Sequence, residues 1–498
     1  MLDKLLVPTD SRETAWKSSN QMLIGGELVQ AVSGRTFDVV NPATGEKIGE
    51  AALGAAADAE RAVLAAAKAQ AGWARTPARE RGRMLVECGR RLDAHVEELA
   101  QLVSLETGKA LRTESRGEAS VLADVFAFYG GLGSELKGET VPFNPQMLTI
   151  TKREPVGVVA AIIPWNAPLM LMALKVAPAL AAGNTVVLKS AEEAPLAVLR
   201  AAQIMRDALP PGVLNVISGM GPDCGAPLVA HPLVRKITFT GSVETGRIIY
   251  KMAAEKIIPV ALELGGKSPM IVCEDADIDR AVVGAVQGMR FTRQGQSCTA
   301  ASRMFVHEKV LDEYVEKLRR KVDELKIGDP LDESTDVGTI ISRAQYDKVN
   351  QYIALGETLP GAKAIRCSAL PTDSHLAKGL FLQPVLFTHI TNDSRLAQEE
   401  IFGPVTCIMG WNDFDEVIKA ANSTNFGLAA SVWTRDLNRA LVATDRIEAG
   451  TVQVNQNIVA QANLSYGGVK NSGLGKEASL EAMLEHFTNK KTMIFSMA

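Results

Sequence analysis

Cys298 lies in the run Phe291-Thr292-Arg293-Gln294-Gly295-Gln296-Ser297-Cys298-Thr299, far from every other cysteine of the chain. Thirty-five residues upstream, Glu263 interrupts the apolar run Val260-Ala261-Leu262-Glu263-Leu264-Gly265-Gly266-Lys267. A thiol nucleophile and a carboxylate in apolar surroundings are the minimum equipment for covalent catalysis followed by hydrolysis. A lone cysteine is often a small core residue, but the Gly, Gln and Ser around Cys298 do not make a core strand. The glutamate is the stronger signal, because a carboxylate among Val, Ala and Leu is expensive to bury unless it is used.

Further runs carry groups suited to a nucleotide, each with a plainer explanation beside it. Gly219-Met220-Gly221-Pro222-Asp223-Cys224-Gly225 spaces its glycines as GxGxxxG after an apolar run; a tight turn accounts for it equally well. Phe239-Thr240-Gly241-Ser242-Val243-Glu244-Thr245-Gly246 reads as a strand end opening into a helix. Gly241 permits close approach there, and Ser242 with the free N–H groups of the first turn suits an anionic diphosphate. A simple Ser cap is the alternative. Lys189 and Glu192 follow Val186-Val187-Leu188, where a donor and an acceptor can hold sugar hydroxyls, or form a surface ion pair. Asn166, in Pro164-Trp165-Asn166, offers an amide to a developing oxyanion, or is a turn residue. Glu399-Glu400-Ile401-Phe402-Gly403-Pro404 is an acidic loop running into a rigid turn and, taken alone, a solvated one.

These groups need a scaffold that carries distant segments to one edge. Segments 156–163, 185–188, 214–218, 236–240 and 258–262 are short, apolar and β-branched. Between them 169–182, 196–208, 224–230 and 244–254 have helical character. Such alternation indicates a parallel, doubly wound sheet, with nucleotide cofactors at the carboxyl ends of its strands. A second alternating half runs from about 270 to 467, with 277–291 and 310–325 helical and 302–307 extended. Upstream, 55–133 reads as three helices and 22–50 as short β-like runs, behind a polar arm of 20 residues. Residues 149–153 alternate as an exposed strand, and 491–497 are apolar and β-prone, suited to pairing with a partner's sheet.

A chain of 498 residues exceeds one compact core, so two or three lobes are expected. The net charge of −4 without a block of like charge gives no basis for nucleic acid or an anionic membrane. Arg79-Glu80-Arg81-Gly82-Arg83 reads as a solvated helix face. Cys88, Cys224, Cys273, Cys298, Cys367 and Cys407 form no CxxC pair and the histidines no HxxxH pair, which argues against a disulfide framework and a metal site. Residues 156–174 are 19 consecutive uncharged residues, yet Pro164, Asn166 and Pro168 would strip a membrane helix of backbone bonds. Asp3 and the lack of an apolar core speak against a signal peptide, so the cytoplasm is expected.

Asn41-Pro42-Ala43-Thr44-Gly45, Pro164-Trp165-Asn166, the stretch from Lys189 to Glu192, Phe239 to Ser242, Leu262 to Pro269, Gly295-Gln296-Ser297-Cys298 and Glu400 to Pro404 occur in the order of the aldehyde dehydrogenase superfamily, which the chain resembles over about 20–498. The resemblance implies an α/β fold of doubly wound parallel sheets in two lobes with a small β oligomerisation extension. It places an NAD-binding domain at 20–135 and 155–265, a catalytic domain at 266–467, and oligomerisation strands at 136–154 and 484–498 of a homodimer or homotetramer. Cys298 is then the nucleophile toward an aldehyde, Asn166 and the Cys298 N–H the oxyanion donors, and Glu263 the base that hydrolyses the thioester.

The same resemblance assigns NAD contacts to Trp165, Lys189, Glu192, Gly225, Gly241, Ser242, Leu264, Glu400 and Phe402. Lys189 and Glu192 fall on the adenosine ribose, Ser242 on the diphosphate, Glu400 on the nicotinamide ribose and Phe402 near the ring. Glu192 would repel a 2′-phosphate and so favours NAD over NADP. Where many relatives line the aldehyde tunnel with aromatic rings, this chain has Ala167, Leu174, Thr292 and Ala460. Arg293 could meet an anionic substrate or point outward. The rival readings are a CoA-acylating semialdehyde dehydrogenase, whose kind generally lacks the glutamate base, and a non-catalytic cofactor-binding protein.

Overall fold

The β-branched runs pair into two mainly parallel sheets, which a computed structural model describes over residues 21–457 and 461–497. The expectations for residues 1–20 and for Ala460 lie outside the described residues. In the first sheet five parallel strands lie in the spatial order Leu214–Ile217, Thr185–Lys189, Val158–Ile162, Val234–Thr240, Val260–Glu263. Met22–Ile24 and Glu27–Val29 extend one edge in antiparallel fashion, and Gly473–Leu474 the other. Strand order reverses between Val158–Ile162 and Val234–Thr240, the switch point at which open α/β sheets leave a crevice.

The second sheet runs Lys363–Arg366, Val385–Thr388, Val405–Trp411, Arg303–His307, Pro269–Val272, Ala429–Trp433, Thr451–Val454, and only its first pair is antiparallel. Residues 264–268 alone link the last parallel strand of one sheet to the first of the other. Glu263 therefore ends at the seam between the sheets. A third, antiparallel sheet joins Thr140–Asn144, Met147–Pro155 and Thr488–Ser496, and it leaves Phe143, Leu148, Ile494 and Phe495 exposed.

The helix Pro168–Ala181 is buried at every residue but Met170, as expected of a helix that is apolar all round. Its one charge, Lys175, is buried with it.

Two local expectations are corrected. The stretch 55–133 holds four α-helices, Ala56–Arg75, Ala78–Asp93, Val96–Thr107 and Arg116–Gly131, rather than three. The break at Ala94-His95 carries no Gly or Pro, so nothing in its composition interrupts the helical pattern. Arg81 is not solvated: it is buried, and its guanidinium donates to the carbonyls of Ala181 (3.2 Å) and Thr76 (2.5 Å), groups that helix ends leave unpaired.

Candidate active site

A cavity of about 240 Å³ opens at the switch point, and Cys298, Glu263 and Asn166 all line it. Asn166 enters from the turn after Val158–Ile162, Glu263 from the end of its strand, and Cys298 from the loop after the helix Ile278–Met289. Trp165, Gly241, Ser242, Leu264, Glu400 and Phe402 line the same space. Lys189, Glu192 and Gly225 stand outside that lining but together: Lys189 Nζ is 3.0 Å from Glu192 Oε2, and a Cβ on Gly225 would lie 3.4 Å from Lys189 Cδ.

The nucleophile loop is wound tightly. Arg290, Gln294 and Gly295 take left-handed backbone, and the Arg290 carbonyl accepts from both Arg293 (2.9 Å) and Gly295 (2.8 Å). A side chain on Gly295 would strike the Gly403 carbonyl, so only glycine fits. Cys298 Sγ lies 3.2 Å from Tyr466 Oη. Burial pushes the thiol up to about 11; the Tyr466 hydrogen bond works against this, the charges of Glu400 and Glu263 add to it, and Arg293 opposes. Two residues of the same lining keep a free donor. The Cys298 N–H has no acceptor among the described residues. Asn166 Nδ2 donates one proton to the Gln296 carbonyl at 3.2 Å and keeps the other.

A pH dependence follows from the raised thiol. Only the thiolate alkylates, and the other cysteines are all buried. In the cofactor-free protein, iodoacetamide modification of Cys298 is expected to accelerate about tenfold per pH unit from 7 to 9 without levelling. A plateau at neutral pH, read by mass spectrometry of the Cys298 peptide, would refute a protonated resting thiol.

Glu263 is buried, and neither carboxylate oxygen has a hydrogen-bond partner among the described residues. Burial, reinforced by the like charge of Glu477, holds its carboxyl well above the usual range against the pull of Lys175 and Lys476. Gly467 makes room for it, since a Cβ there would lie 2.5 Å from Glu263 Oε1. Close by, Lys175 Nζ meets Glu477 Oε1 at 2.6 Å and Thr238 Oγ1 at 3.0 Å. The Glu477 backbone in turn exchanges hydrogen bonds with that of Tyr466 (2.7 and 2.9 Å). The buried ion pair is thus tied to the tyrosine that touches the thiol. Sequence reasoning missed Lys175, Tyr466 and Glu477.

The supports of the remaining groups are equally specific. Lys109, ion-paired to Glu118, donates to the Asn166 carbonyl at 3.2 Å, while Glu118 accepts from the Leu169 N–H at 2.9 Å. Ser242 is indeed the cap of the helix Val243–Lys256, accepting from Thr245 N–H at 3.2 Å, and the N-terminus it caps opens on the cavity. Glu400 accepts from the Gly266 N–H at 2.9 Å, and burial pushes its carboxyl up to about 7. Trp165 and Phe402 meet edge to face with centroids 5.3 Å apart, and Gln345 holds the Phe402 carbonyl at 2.8 Å.

The substrate-side expectations divide. Ala167 lines the cavity, as does Met170. Leu174 is buried outside the lining. The Thr292 hydroxyl is committed to Glu114 at 2.5 Å. Arg293 pairs with the same carboxylate at 2.6 Å, so its charge is already neutralised. Among the described residues no His, Cys, Asp and Glu cluster could hold a metal ion.

The model of the aldehyde dehydrogenase family matches residues 28–493. The chain is 43% identical over 470 residues to aldehyde dehydrogenase family 2 member B4, mitochondrial, of Arabidopsis thaliana, covering 94% of this chain and 86% of the relative. It is 40% identical over 482 residues to benzaldehyde dehydrogenase, mitochondrial, of Antirrhinum majus, covering 96% and 89%. Among solved structures, the NAD+ complex of aldehyde dehydrogenase from Bacillus cereus matches with a TM-score of 0.94 at 37% identity, over 99% of each chain. Sequence order, sheet topology and these matches along nearly the whole length agree: the chain belongs to the aldehyde dehydrogenase family.

Proposed function

We propose that the protein oxidises an aldehyde to a carboxylic acid with NAD as hydride acceptor, through a thioester on Cys298. The observation that carries this reading is the sharing of one cavity by the thiol and an unpartnered, buried carboxyl. As thiolate, Sγ adds to the carbonyl carbon, and the resulting oxyanion meets the second Asn166 amide proton and the Cys298 N–H. NAD, when bound, accepts the hydride that the tetrahedral adduct releases. Glu263 as carboxylate then takes a proton from water, the water adds to the thioester, and Sγ leaves. Glu263 is left protonated beside the Lys175–Glu477 pair.

The residues present fit a dinucleotide. The capped N-terminus of Val243–Lys256 offers N–H groups to a diphosphate, Lys189 with Glu192 offers a donor and an acceptor to a ribose, and Glu192 opposes a 2′-phosphate. Gly265 keeps the Glu400 carboxylate in reach, because a Cβ there would lie 2.3 Å from Glu400 Oε2. The exposed apolar side chains of the third sheet support a homodimer or homotetramer. Among the described residues no helix is long and apolar enough to cross a membrane, and we place the protein in the cytoplasm, although two relatives are named mitochondrial.

A panel of aliphatic, aromatic and acidic aldehydes, assayed with NAD or NADP and with or without CoA, tests the proposal. NADH and free acid are expected in equal amounts, with NAD preferred and CoA without effect. Acyl-CoA formed only when CoA is added would establish the acylating alternative. NAD binding without turnover of any aldehyde would establish the non-catalytic one.

A further inference from the structure

The nucleophile loop brings two arginines to the cavity, and their circumstances differ. Arg293 is saturated by Glu114. The Arg290 guanidinium has no hydrogen-bond or ion-pair partner among the described residues. Its backbone is left-handed at φ 58, at the C-cap of the helix Ile278–Met289, a conformation that a non-glycine residue holds only where packing imposes it.

Arg290 also lines a second cavity of about 410 Å³, and Thr299 and Tyr466 border both spaces. The two cavities therefore adjoin at Arg290, Thr299 and Tyr466, and Tyr466 touches the Cys298 thiol. None of the residues assigned to the dinucleotide lines the second cavity, and its walls, such as Ser431, Gln456 and Asn457, are uncharged. Among the described residues of that lining Arg290 is the sole charge. On the first cavity's side, Lys348 stands in the field of Glu400 and does not line the second cavity. Glu114 is taken by Arg293 and Thr292. A molecule approaching the thiol from the second cavity thus meets one uncompensated cation, with a planar fork suited to a carboxylate.

We propose that Arg290 anchors the substrate, and that the substrate is an aldehyde bearing a carboxylate at its far end, a semialdehyde of a dicarboxylic acid. The carboxylate sits on the guanidinium while the carbonyl carbon reaches Cys298 Sγ. This rests on the oxidative reading of the site given above. An uncompensated cation in a half-enclosed space is unfavourable until an anion arrives, so Arg290 selects between substrates rather than stabilising the fold.

The test is the ratio of kcat/KM for a carboxylate aldehyde to that for its uncharged isostere, measured within one protein. A series of ω-oxocarboxylates of increasing length, and 4-formylbenzoate, is compared with the corresponding primary amides. The native enzyme is expected to favour the best anion by about 10- to 100-fold, carried mainly by KM. Arg290→Met should bring the ratio close to one, and Arg290→Lys should restore part of it. Because each ratio is internal to one preparation, partial misfolding does not affect it. A native ratio near one, or a ratio that Arg290→Met leaves intact, overturns the assignment while NADH formation from the amides still upholds the oxidative reading. No NADH from any aldehyde, charged or neutral, overturns both.

Discussion

Cys298→Ala is expected to lower kcat/KM for every aldehyde by four to six orders of magnitude, on the order of the loss seen when a covalent nucleophile is deleted. Hydride cannot leave a planar aldehyde carbon; it departs only after a nucleophile has made that carbon tetrahedral. No neighbour can substitute. Ser297 and Thr299 are hydroxyls bonded to each other at 3.1 Å, and the other five cysteines are buried. The fold should survive, because the half-buried sulfur faces a cavity and the Tyr466 contact it forfeits is worth about 1 kcal/mol. NAD binding by calorimetry, unchanged beside a dead enzyme, is the expected pattern. NADH formation above about a thousandth of the native rate would mean that the carbon is attacked by something else.

What could be read from the residues alone follows from where each signal resides. The central strands were legible because short β-branched runs alternate with helical ones, a pattern that local side chains create. Cys298 and Glu263 stand out as candidates because each is a reactive group out of keeping with its own neighbours, whereas Asn166 taken alone reads as a turn residue and only the order of the motifs singles it out. Lys175 had a comparable signal, the one charge in the helix Pro168–Ala181, and could have been found by the argument applied to Glu263. Tyr466 and Glu477 had none: each lies in an ordinary polar stretch and gains its role from a partner far along the chain. Arg290 and Arg293 are indistinguishable in sequence. Glu114, 179 residues from Arg293, decides which of them keeps a free charge. Leu174 and Thr292 show the same limit, since matching a position does not fix where its side chain is spent.

Glu263→Gln separates the two halves of the reaction. One equivalent of NADH per active site is expected in a rapid burst, followed by steady-state turnover reduced about 10²- to 10⁴-fold, the usual contribution of a general base. The amide preserves shape and sacrifices no hydrogen bond, because neither Glu263 oxygen has a partner among the described residues. Where Glu263 ionises at higher pH, the substitution also relieves a like charge beside Glu477. A carboxyl raised on folding favours the native state in its protonated form, and that contribution is lost as pH rises through the folded value. The Tm of the Gln variant should therefore gain on the native protein with increasing pH. The charge of Glu263 also raises the Cys298 thiol, so its loss should favour the thiolate and leave acylation intact. The stalled species is a thioester on Cys298, visible as the acyl mass on that peptide after acid quench. Normal turnover in the Gln variant would transfer the base role to another group, and a missing burst would place Glu263 in the acylation half instead.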